Sequence, residues 1–337
     1  MTFCYVVMCH TDPQAVLRLV RRIRELSPTA DVLVRHDRPG LFEPGEVEAA
    51  GADVLRSDIA VQWGDITLAE ATIEAFLVAR KRTGCSHAVL ISGQDYPIRN
   101  LADWEAEIVA SGVDALLDPL AAQPQDHSWR WRIFSPPAPL RADGALLRRA
   151  LVRAGSLLST RSIVLTKPGE LRLWWGTRRL RPSPPITPVK ASAWIVLGER
   201  ALASIERQTA DRPELEAFFR EVRTPDEWFA SSLVCADPEL RVGIGSTTAK
   251  YFPPGAPNPV WIDLEVLARL RRSSDAPFVR KVAADADPAV YAEADRMAAR
   301  SPDEVRADIV EPHHRDVPWA ESVAAHIVLP DVGTDPA

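Results

Sequence analysis

The chain has 337 residues, of which 46% are apolar and 26% charged, and its formal net charge is −6. This length holds one large α/β domain or two smaller ones, with the composition of an ordinary globular enzyme. The negative balance gives no support to a nucleic-acid or membrane surface as the main partner. The first residues carry no basic segment and no long apolar run, so we expect a cytoplasmic protein without a signal peptide or transmembrane helix.

The amino-terminal part predicts strands that alternate with helices. The predicted strands are 3–9, 31–34, 52–55 and 88–91, and the predicted helices begin at Pro13, after a capping Asp12, and near Gly64. Polar residues follow several strands, among them His10, Asp37 and Ser92. The pattern indicates the nucleotide-binding half of an α/β fold, with a Rossmann-type, mostly parallel sheet flanked by helices.

The stretch His87–Ile98 is the centre of this pattern. A continuous apolar run, Ala88 to Ile91, predicts a central strand covered on both faces. A polar turn that contains Asp95 follows at once, and Pro97 is expected to stop further strand pairing. Ligands of open α/β sheets bind just beyond the carboxyl ends of such strands. The turn is therefore a candidate site, although its polar residues could equally serve only to hydrogen-bond the turn.

The second half is less regular. Residues 119–145 read as a loop, and a basic, tryptophan-containing stretch and a proline-dense segment follow it. Further strands are predicted at 113–117, 193–197 and 241–244, and helices at Asp103, Glu199, Pro213 and Ile262. We predict a single domain over 1–316, with a nucleotide-binding half (1–118), an acceptor and catalytic half (119–285) and C-terminal helices (286–316), followed by a tail at 317–337.

No metal or thiol site is predicted. The only Asp-x-Asp, Asp285-Ala-Asp287, lies late in the chain at a helix start, where a capping role is the better interpretation. Cys4, Cys9 and Cys85 lie in or beside apolar runs, as buried free thiols do. A diphosphate held without a metal needs positive charge. Three residues expected in late loops could supply it, although charge alone also fits solvent-exposed side chains: Lys250, Arg280 and Lys281.

The sequence Thr224-Pro225-Asp226-Glu227 has two interpretations. Thr224 and Glu227 have the spacing of a capping box with Pro225 in the first turn, which is purely structural. Alternatively, Glu227 is a fixed carboxylate that could remove a proton from an attacking hydroxyl.

The ordered set of these segments resembles the core-2/I-branching β-1,6-N-acetylglucosaminyltransferase family, which is related to the peptide O-xylosyltransferases. The resemblance covers about residues 3–285, and Leu90-Ile-Ser-Gly-Gln-Asp-Tyr-Pro97 is its most specific segment. The other matching segments are the strand ending at His10, Arg35-His36-Asp37, Gln62-Trp63-Gly64, Trp129-Arg-Trp-Arg132, Lys190-Ala-Ser-Ala-Trp-Ile-Val-Leu197, Thr224-Pro-Asp-Glu227, Lys250-Tyr251 and Phe278-Val-Arg-Lys281.

The resemblance implies a GT-A fold and an inverting, metal-independent transfer from a UDP-sugar, such as UDP-GlcNAc or UDP-xylose, to an acceptor hydroxyl. It implies that Glu227 is the base and that Lys250 and Lys281 replace the metal on the diphosphate, with Lys250 standing where the family often has Arg. Donor-side positions are His10, Asp37, Trp63 and Arg280 beside these lysines. Asp118 and Arg130 fall near acceptor-binding positions of the family. Asp95, Trp131 and Trp175 are further acceptor-side candidates, since Trp faces stack on sugar rings and Arg supplies planar donors. For the stretch around Trp175, a core tryptophan pair with solvated arginines is an equally open interpretation.

The chain departs from the animal members in having no membrane anchor and no predicted disulfides. We therefore expect a soluble bacterial enzyme that acts on a small-molecule, lipid-linked or glycan acceptor and needs no cofactor. The alternative is a catalytically inactive module that binds a nucleotide or sugar. A glycosidase is disfavoured, because adjacent carboxylates such as Asp226 and Glu227 diverge by about 100° on a helix and cannot flank one bond.

Overall fold

The computed structural model describes residues 1–38, 40–43, 45–119, 184–253 and 258–310. It also gives the backbone of short strands at 132–133, 138–140, 163–167, 170–174, 176–177 and 327–328.

Strands and helices of the amino-terminal part alternate in the predicted order. The strands are β1 (Phe3–Cys9), β2 (Asp31–His36), β3 (Asp53–Leu55), β4 (His87–Ser92), β5 (Asp95–Pro97) and β6 (Ala115–Leu117). The helices are α1 (Pro13–Leu26), α2 (Glu46–Ala49), α3 (Ile66–Thr83) and α4 (Leu101–Ser111). Helix α4 begins two residues before the predicted Asp103, because Asn100 caps it by accepting from the Asp103 amide at 3.1 Å.

The second half holds shorter strands. They are β7 (Arg132–Ile133), β8 (Ala138–Leu140), β9 (Ile163–Lys167), β10 (Glu170–Trp174), β11 (Gly176–Thr177), β12 (Val196–Gly198), β13 (Val242–Ile244), β14 (Thr248–Lys250), β15 (Phe278–Arg280) and β16 (Ile327–Val328). The helices are α5 (Glu199–Asp211), α6 (Pro213–Phe219), α7 (Phe229–Ala236), α8 (Leu264–Arg271), α9 (Pro288–Ala298) and α10 (Pro302–Asp308), with a 3₁₀ turn at Pro225–Glu227.

The main sheet has the order β16-β13-β6-β12-β4-β1-β2-β3. Strand β1 is parallel to β2 and β4, and β13 is parallel to β6, whereas β12 runs antiparallel to both of its neighbours. The fold is thus α/β with a Rossmann-type, mostly parallel sheet, which confirms the predicted class. The division of the chain at residues 118 and 285 stays a prediction.

Alternating side chains of the sheet pack into two separate hydrophobic cores, one on each face. Along β1, Cys4 and Val6 pack with α3 and α7 on one face, while Tyr5 and Val7 pack with α1 and α4 on the other. Successive residues of a strand point to opposite faces, so an apolar run such as FCYVVMC is required where helices cover both. The central strands are therefore fixed in register, and their carboxyl ends are held at one edge.

A second, three-stranded sheet has the order β14-β15-β5 and was not predicted. Strand β5 continues from the turn after β4, so the expectation that Pro97 stops pairing was wrong; Pro97 lies opposite Phe278. Proline is tolerated there because β5 is an edge strand. Lys250 and Arg280, expected in loops, are the last residues of β14 and β15.

Two smaller predictions about local chemistry were confirmed. Asp287 caps α9, since its carboxylate accepts from the Ala289 amide at 2.8 Å. Cys4, Cys9, Cys85 and Cys235, which all lie in the described residues, are buried thiols that form no disulfide. Asp12 precedes α1 as expected, but it has a left-handed backbone conformation and its side chain makes no capping hydrogen bond.

Gly93 allows the turn after β4 to pass close to β1. A Cβ atom at this position would lie 2.6 Å from Val16 Cγ2 and 3.0 Å from Cys9 Cβ. We expect Gly93→Ala to lower the free energy of unfolding by about 1–3 kcal/mol, the usual cost of overpacking. Chemical denaturation of Gly93→Ala, Val16→Ala and the double variant should show that the double loss is smaller than the sum. Strict additivity would mean that the clash with Val16 is not the cause.

Candidate active site

Polar side chains converge at the carboxyl edge of the main sheet. Asp37, Asp95 and Asp118 follow β2, β4 and β6. Because β12 is antiparallel to β4 and β6, the segment that leads into it approaches from the same edge, where the Ser192 amide donates to the Asp118 carbonyl at 2.7 Å. One edge of the sheet therefore collects groups from distant parts of the chain, as expected for a site of an open α/β sheet.

Strand register in the small sheet places two cations and a carboxylate in a row. Lys250 lies opposite Arg280, and Arg280 lies opposite Asp95. Directly opposed residues present their side chains on the same face of a sheet. Arg280 Nη1 lies 3.4 Å from Asp95 Oδ1 and donates to Ser92 Oγ at 2.8 Å.

Trp194 is the centre of this row. Its indole N–H donates to Asp95 Oδ2 at 2.9 Å, and the same oxygen accepts from the Ser92 amide at 2.5 Å. The Arg280 guanidinium lies 3.9 Å and the Lys250 ammonium 4.9 Å from the indole centroid. Both distances are within the range of cation–π attraction. The indole therefore fixes the two cations beside one another.

The pKa of Lys250 is shifted by burial and by the charges around it. Its Nζ donates to Ser192 Oγ at 2.8 Å. Burial lowers the pKa of Lys250, and the positive charge of Arg280 acts in the same direction. The carboxylates of Asp118, Asp95 and Glu227 oppose this shift in that order of strength. Lys250 thus interacts electrostatically with all three carboxylates, and an added anion would favour its charged form.

Lys281 directly follows this row. Its ammonium lies 5.9 Å from the centroid of Trp261, and its carbonyl accepts from the Ile262 amide at 2.8 Å. The lysine side chain is half-buried, while Trp261 is 52% exposed. Lys281 therefore stands at the rim of the site, nearer to solvent than Arg280.

Glu227 ends the 3₁₀ turn that precedes α7. Thr224 has a left-handed backbone conformation, with φ of 49°, and its side chain makes no capping hydrogen bond, so the capping-box interpretation was wrong. The Glu227 carboxylate is about one-third exposed and lies 3.5 Å from Lys190 Nζ. Its carbonyl accepts from the Ala191 amide at 2.9 Å. Glu227 is therefore a partly exposed carboxylate on a fixed backbone.

Asp226, beside it, faces inward. Its side chain helps to line a cavity of about 10 Å³ together with Thr72 of α3 and Ser192. Burial, and after it the adjacent charge of Glu227, raises the pKa of Asp226 to about 7. The neighbouring carboxylates thus have different environments: Asp226 titrates near neutral pH, and Glu227 faces the edge of the sheet.

The predicted nucleotide side lies at the ends of β1 and β2. The Asp37 amide donates to the Cys9 carbonyl at 3.1 Å, which ties this residue to the position before the exposed His10. The Asp37 carboxylate pairs with Arg35, which is only 1% exposed and also donates to the Ile59 carbonyl at 2.8 Å. Trp63, 39% exposed, lies in the turn before α3.

The described residues include most, though not all, of the predicted site. The cluster unites Asp95, Asp118, Glu227, Lys250 and Arg280, whereas the acceptor residues Arg130, Trp131 and Trp175 lie outside the described residues. Ser92 belongs to the turn that the sequence indicated as a candidate site, whereas Lys190, Ser192 and Trp194 were not assigned to the site. These last three belong to one matched segment just before a strand, which was the available signal.

The described residues contain neither a metal-binding cluster nor a membrane-spanning helix. In these ranges no group of three or more His, Cys, Asp or Glu side chains is arranged to hold a metal ion. No helix in them is long and apolar enough to cross a membrane.

Comparisons with known proteins return only distant likenesses. No family model and no curated protein matches the sequence. Among solved structures, the chain is similar to CMP:2-keto-3-deoxy-manno-octonic acid synthetase complexed with CTP, at 9% identity and a TM-score of 0.29, over 64% of this chain and 83% of that one. A protein assigned as a glucose-1-phosphate thymidylyltransferase from Bacillus anthracis, in complex with sucrose, matches at 9% identity and a TM-score of 0.28, over 61% and 75%. Likenesses this loose carry no information about activity.

Asp226 makes stability depend on pH. The pKa of Asp226 is raised in the folded state. Its contribution to the free energy of unfolding is therefore fully present below the unfolded pKa of 3.8 and is lost as the pH rises through about 7. Asp226→Asn imitates the protonated carboxyl. We therefore expect the variant to melt at nearly the wild-type temperature near pH 4 and a few degrees higher at pH 8. A melting difference that does not change between these pH values would show that Asp226 ionises normally.

Proposed function

We propose that the protein is an inverting, metal-independent glycosyltransferase with a GT-A fold that moves a sugar from a UDP-sugar to an acceptor hydroxyl. The observation that carries the proposal is the arrangement of charges at one edge of the sheet. Lys250 supplies positive charge within the row, Lys281 follows Arg280 at the rim, and Glu227 supplies a partly exposed carboxylate whose charge acts on Lys250. This is the order of charges that a departing diphosphate and an attacking hydroxyl require.

The reaction divides between these groups. The acceptor oxygen forms a bond to C1 of the donor sugar while the bond from C1 to the UDP oxygen breaks. Glu227 takes the proton of the acceptor hydroxyl, and the electron pair of the broken bond stays on UDP. Lys250 and Lys281 stabilise the negative charge that develops on the diphosphate. Because the nucleophile attacks opposite to UDP, the anomeric configuration is inverted.

Arg280 has a different part in this proposal from the one first expected. Its guanidinium is already engaged by Asp95, Ser92 and the Trp194 ring. We assign it a positioning role. It neutralises Asp95, and its positive charge beside Lys250 makes the binding of an anion there more favourable. Asp95, whose side chain is fully buried, acts on the acceptor only indirectly, through this arrangement.

The nucleotide would lie across the ends of β1 and β2. His10 and Asp37 follow the ends of β1 and β2, and Trp63, in the turn before α3, offers a partly exposed indole suited to stacking on a planar base or a sugar face. The acceptor would approach from the side of Asp118 and Glu227. We propose a bacterial small-molecule or glycan acceptor, with GlcNAc, xylose or a related sugar transferred.

Glu227→Gln tests the assignment of the base. Gln keeps the shape of the side chain but cannot accept the proton. We expect the variant to fold, to bind UDP with near-normal affinity, and to lose at least about 10²-fold in kcat, the lower limit for general-base catalysis. Glu239→Gln, an exposed residue just before β13 at the opposite edge, is the matched control and should keep full activity.

The measurements are kcat with the donor found in a UDP-sugar panel and the Kd of UDP by calorimetry. Donor candidates are ranked by thermal protection, since a ligand at about 100 times its Kd adds about 2.7 kcal/mol of stability. If Glu227→Gln turns over within a few-fold of the wild type, Glu227 is not the base. Protection by UDP-sugars without turnover on any acceptor would favour the inactive binding module.

Metal independence is a separate expectation. Lysine ammonium groups already supply the positive charge that a divalent ion supplies in other nucleotide-sugar enzymes. Transfer rates should therefore be unchanged after treatment with excess EDTA, measured as UDP release. A rate that falls with EDTA and returns on adding Mg²⁺ or Mn²⁺ would refute this part of the proposal.

A further inference from the structure

The segment 189–194 contacts both charged parts of the site. Its backbone is bound at two points, where Ala191 N donates to the Glu227 carbonyl at 2.9 Å and Ser192 N to the Asp118 carbonyl at 2.7 Å. It then enters the main sheet through β12, which is paired on both sides. The segment is therefore held along most of its length.

Lys190 lies against the base. Its Nζ is 3.5 Å from Glu227 Oε2 and 5.7 Å from the centroid of the buried Trp228 ring. The preceding residue, Val189, is fixed on both polar atoms: its amide donates to Ser232 Oγ at 2.8 Å and its carbonyl accepts from Ser231 Oγ at 2.7 Å. These bonds fix the backbone from which the Lys190 side chain extends, and the contacts of its ammonium with Glu227 and Trp228 hold the carboxylate on that side.

Ser192, two residues later, lies against the phosphate-binding cation. It is only 3% exposed, and its hydroxyl oxygen accepts from Lys250 Nζ at 2.8 Å. A hydrogen bond to a charged group is worth more than one between neutral groups, and losing it inside the protein leaves the charge less well solvated. Ser192 therefore sets the position of Lys250 as Lys190 sets that of Glu227.

We propose that Lys190 and Ser192 are positioning residues that hold the base and the phosphate-binding lysine at a fixed separation through one rigid segment. The inference rests on the proposed function and adds to it the residues that set the geometry. It predicts a division of effects. Loss of the Lys190 ammonium should act on the proton-transfer step, and loss of the Ser192 hydroxyl on the binding of the diphosphate.

Lys190→Met and Ser192→Ala test this division. For Lys190→Met we expect a fall in kcat of about 10- to 100-fold, because a base misplaced by about 1 Å costs up to that factor, with the Kd of UDP changed less than about twofold. Lys190→Arg should keep most of the rate. For Ser192→Ala we expect the Kd of UDP to rise about tenfold, with a smaller change in kcat at saturating donor.

The matched control is Lys81→Met, which removes an exposed lysine near the end of α3, at the opposite edge of the sheet. If Lys190→Met has the same kcat as Lys81→Met while Glu227→Gln is inactive, the inference fails and the proposed function stands. If Lys190→Met lowers kcat, UDP affinity and melting temperature together, or if Lys190→Arg does not restore the rate, Lys190 has a merely structural role and the inference is overturned. Full activity of Glu227→Gln would instead remove the proposed function itself. Should Lys190→Met fail to fold, Lys190→Gln takes its place with the same criteria.

Discussion

The fully buried carboxylate of Asp95 is the constraint on which the site depends. An ionised carboxylate taken out of water costs several kcal/mol unless charges and hydrogen bonds compensate it. The Ser92 amide, the Trp194 indole N–H and the Arg280 guanidinium provide that compensation from three separate parts of the chain. Each of these partners is thereby fixed in place. The strand ends β4 and β15 and the segment before β12 meet because this one charge has to be satisfied.

That requirement has a consequence for the neighbouring cation. With Arg280 bound to Asp95, the half-buried Lys250 lies beside a second positive charge, and its desolvation and this charge both lower the pKa of Lys250. Three carboxylates oppose the shift, but burial dominates. An anion that enters the site adds negative charge where it is lacking and relieves this cost. In the proposed reaction a diphosphate would meet Lys250 where the groups around it are already ordered.

The sequence predicted what depends on local pattern and missed what depends on distant pairing. The apolar runs of β1 and β4 identified the central strands, since burial on both faces leaves no other interpretation. The small sheet was missed because β5, β14 and β15 are three residues each and because β5 pairs with β15 across more than 150 positions of the chain. No short window contains that register. The same reason hid the role of Trp194, because the carboxylate and the two cations that its indole contacts come from other parts of the chain.

The turn at Glu227 shows why spacing alone was a poor guide to chemistry. The Thr-x-x-Glu spacing fits a capping box, yet Thr224 has a left-handed conformation and caps nothing. A 3₁₀ turn has about three residues per turn, so consecutive side chains diverge by about 120°. Asp226 consequently borders a cavity too small for more than about one water, and its raised pKa makes it titrate near neutral pH. Glu227 is turned towards Lys190 and the open edge of the sheet. Two adjacent carboxylates that look equivalent in the sequence thus differ in their surroundings, since Asp226 borders the small cavity and Glu227 pairs with Lys190.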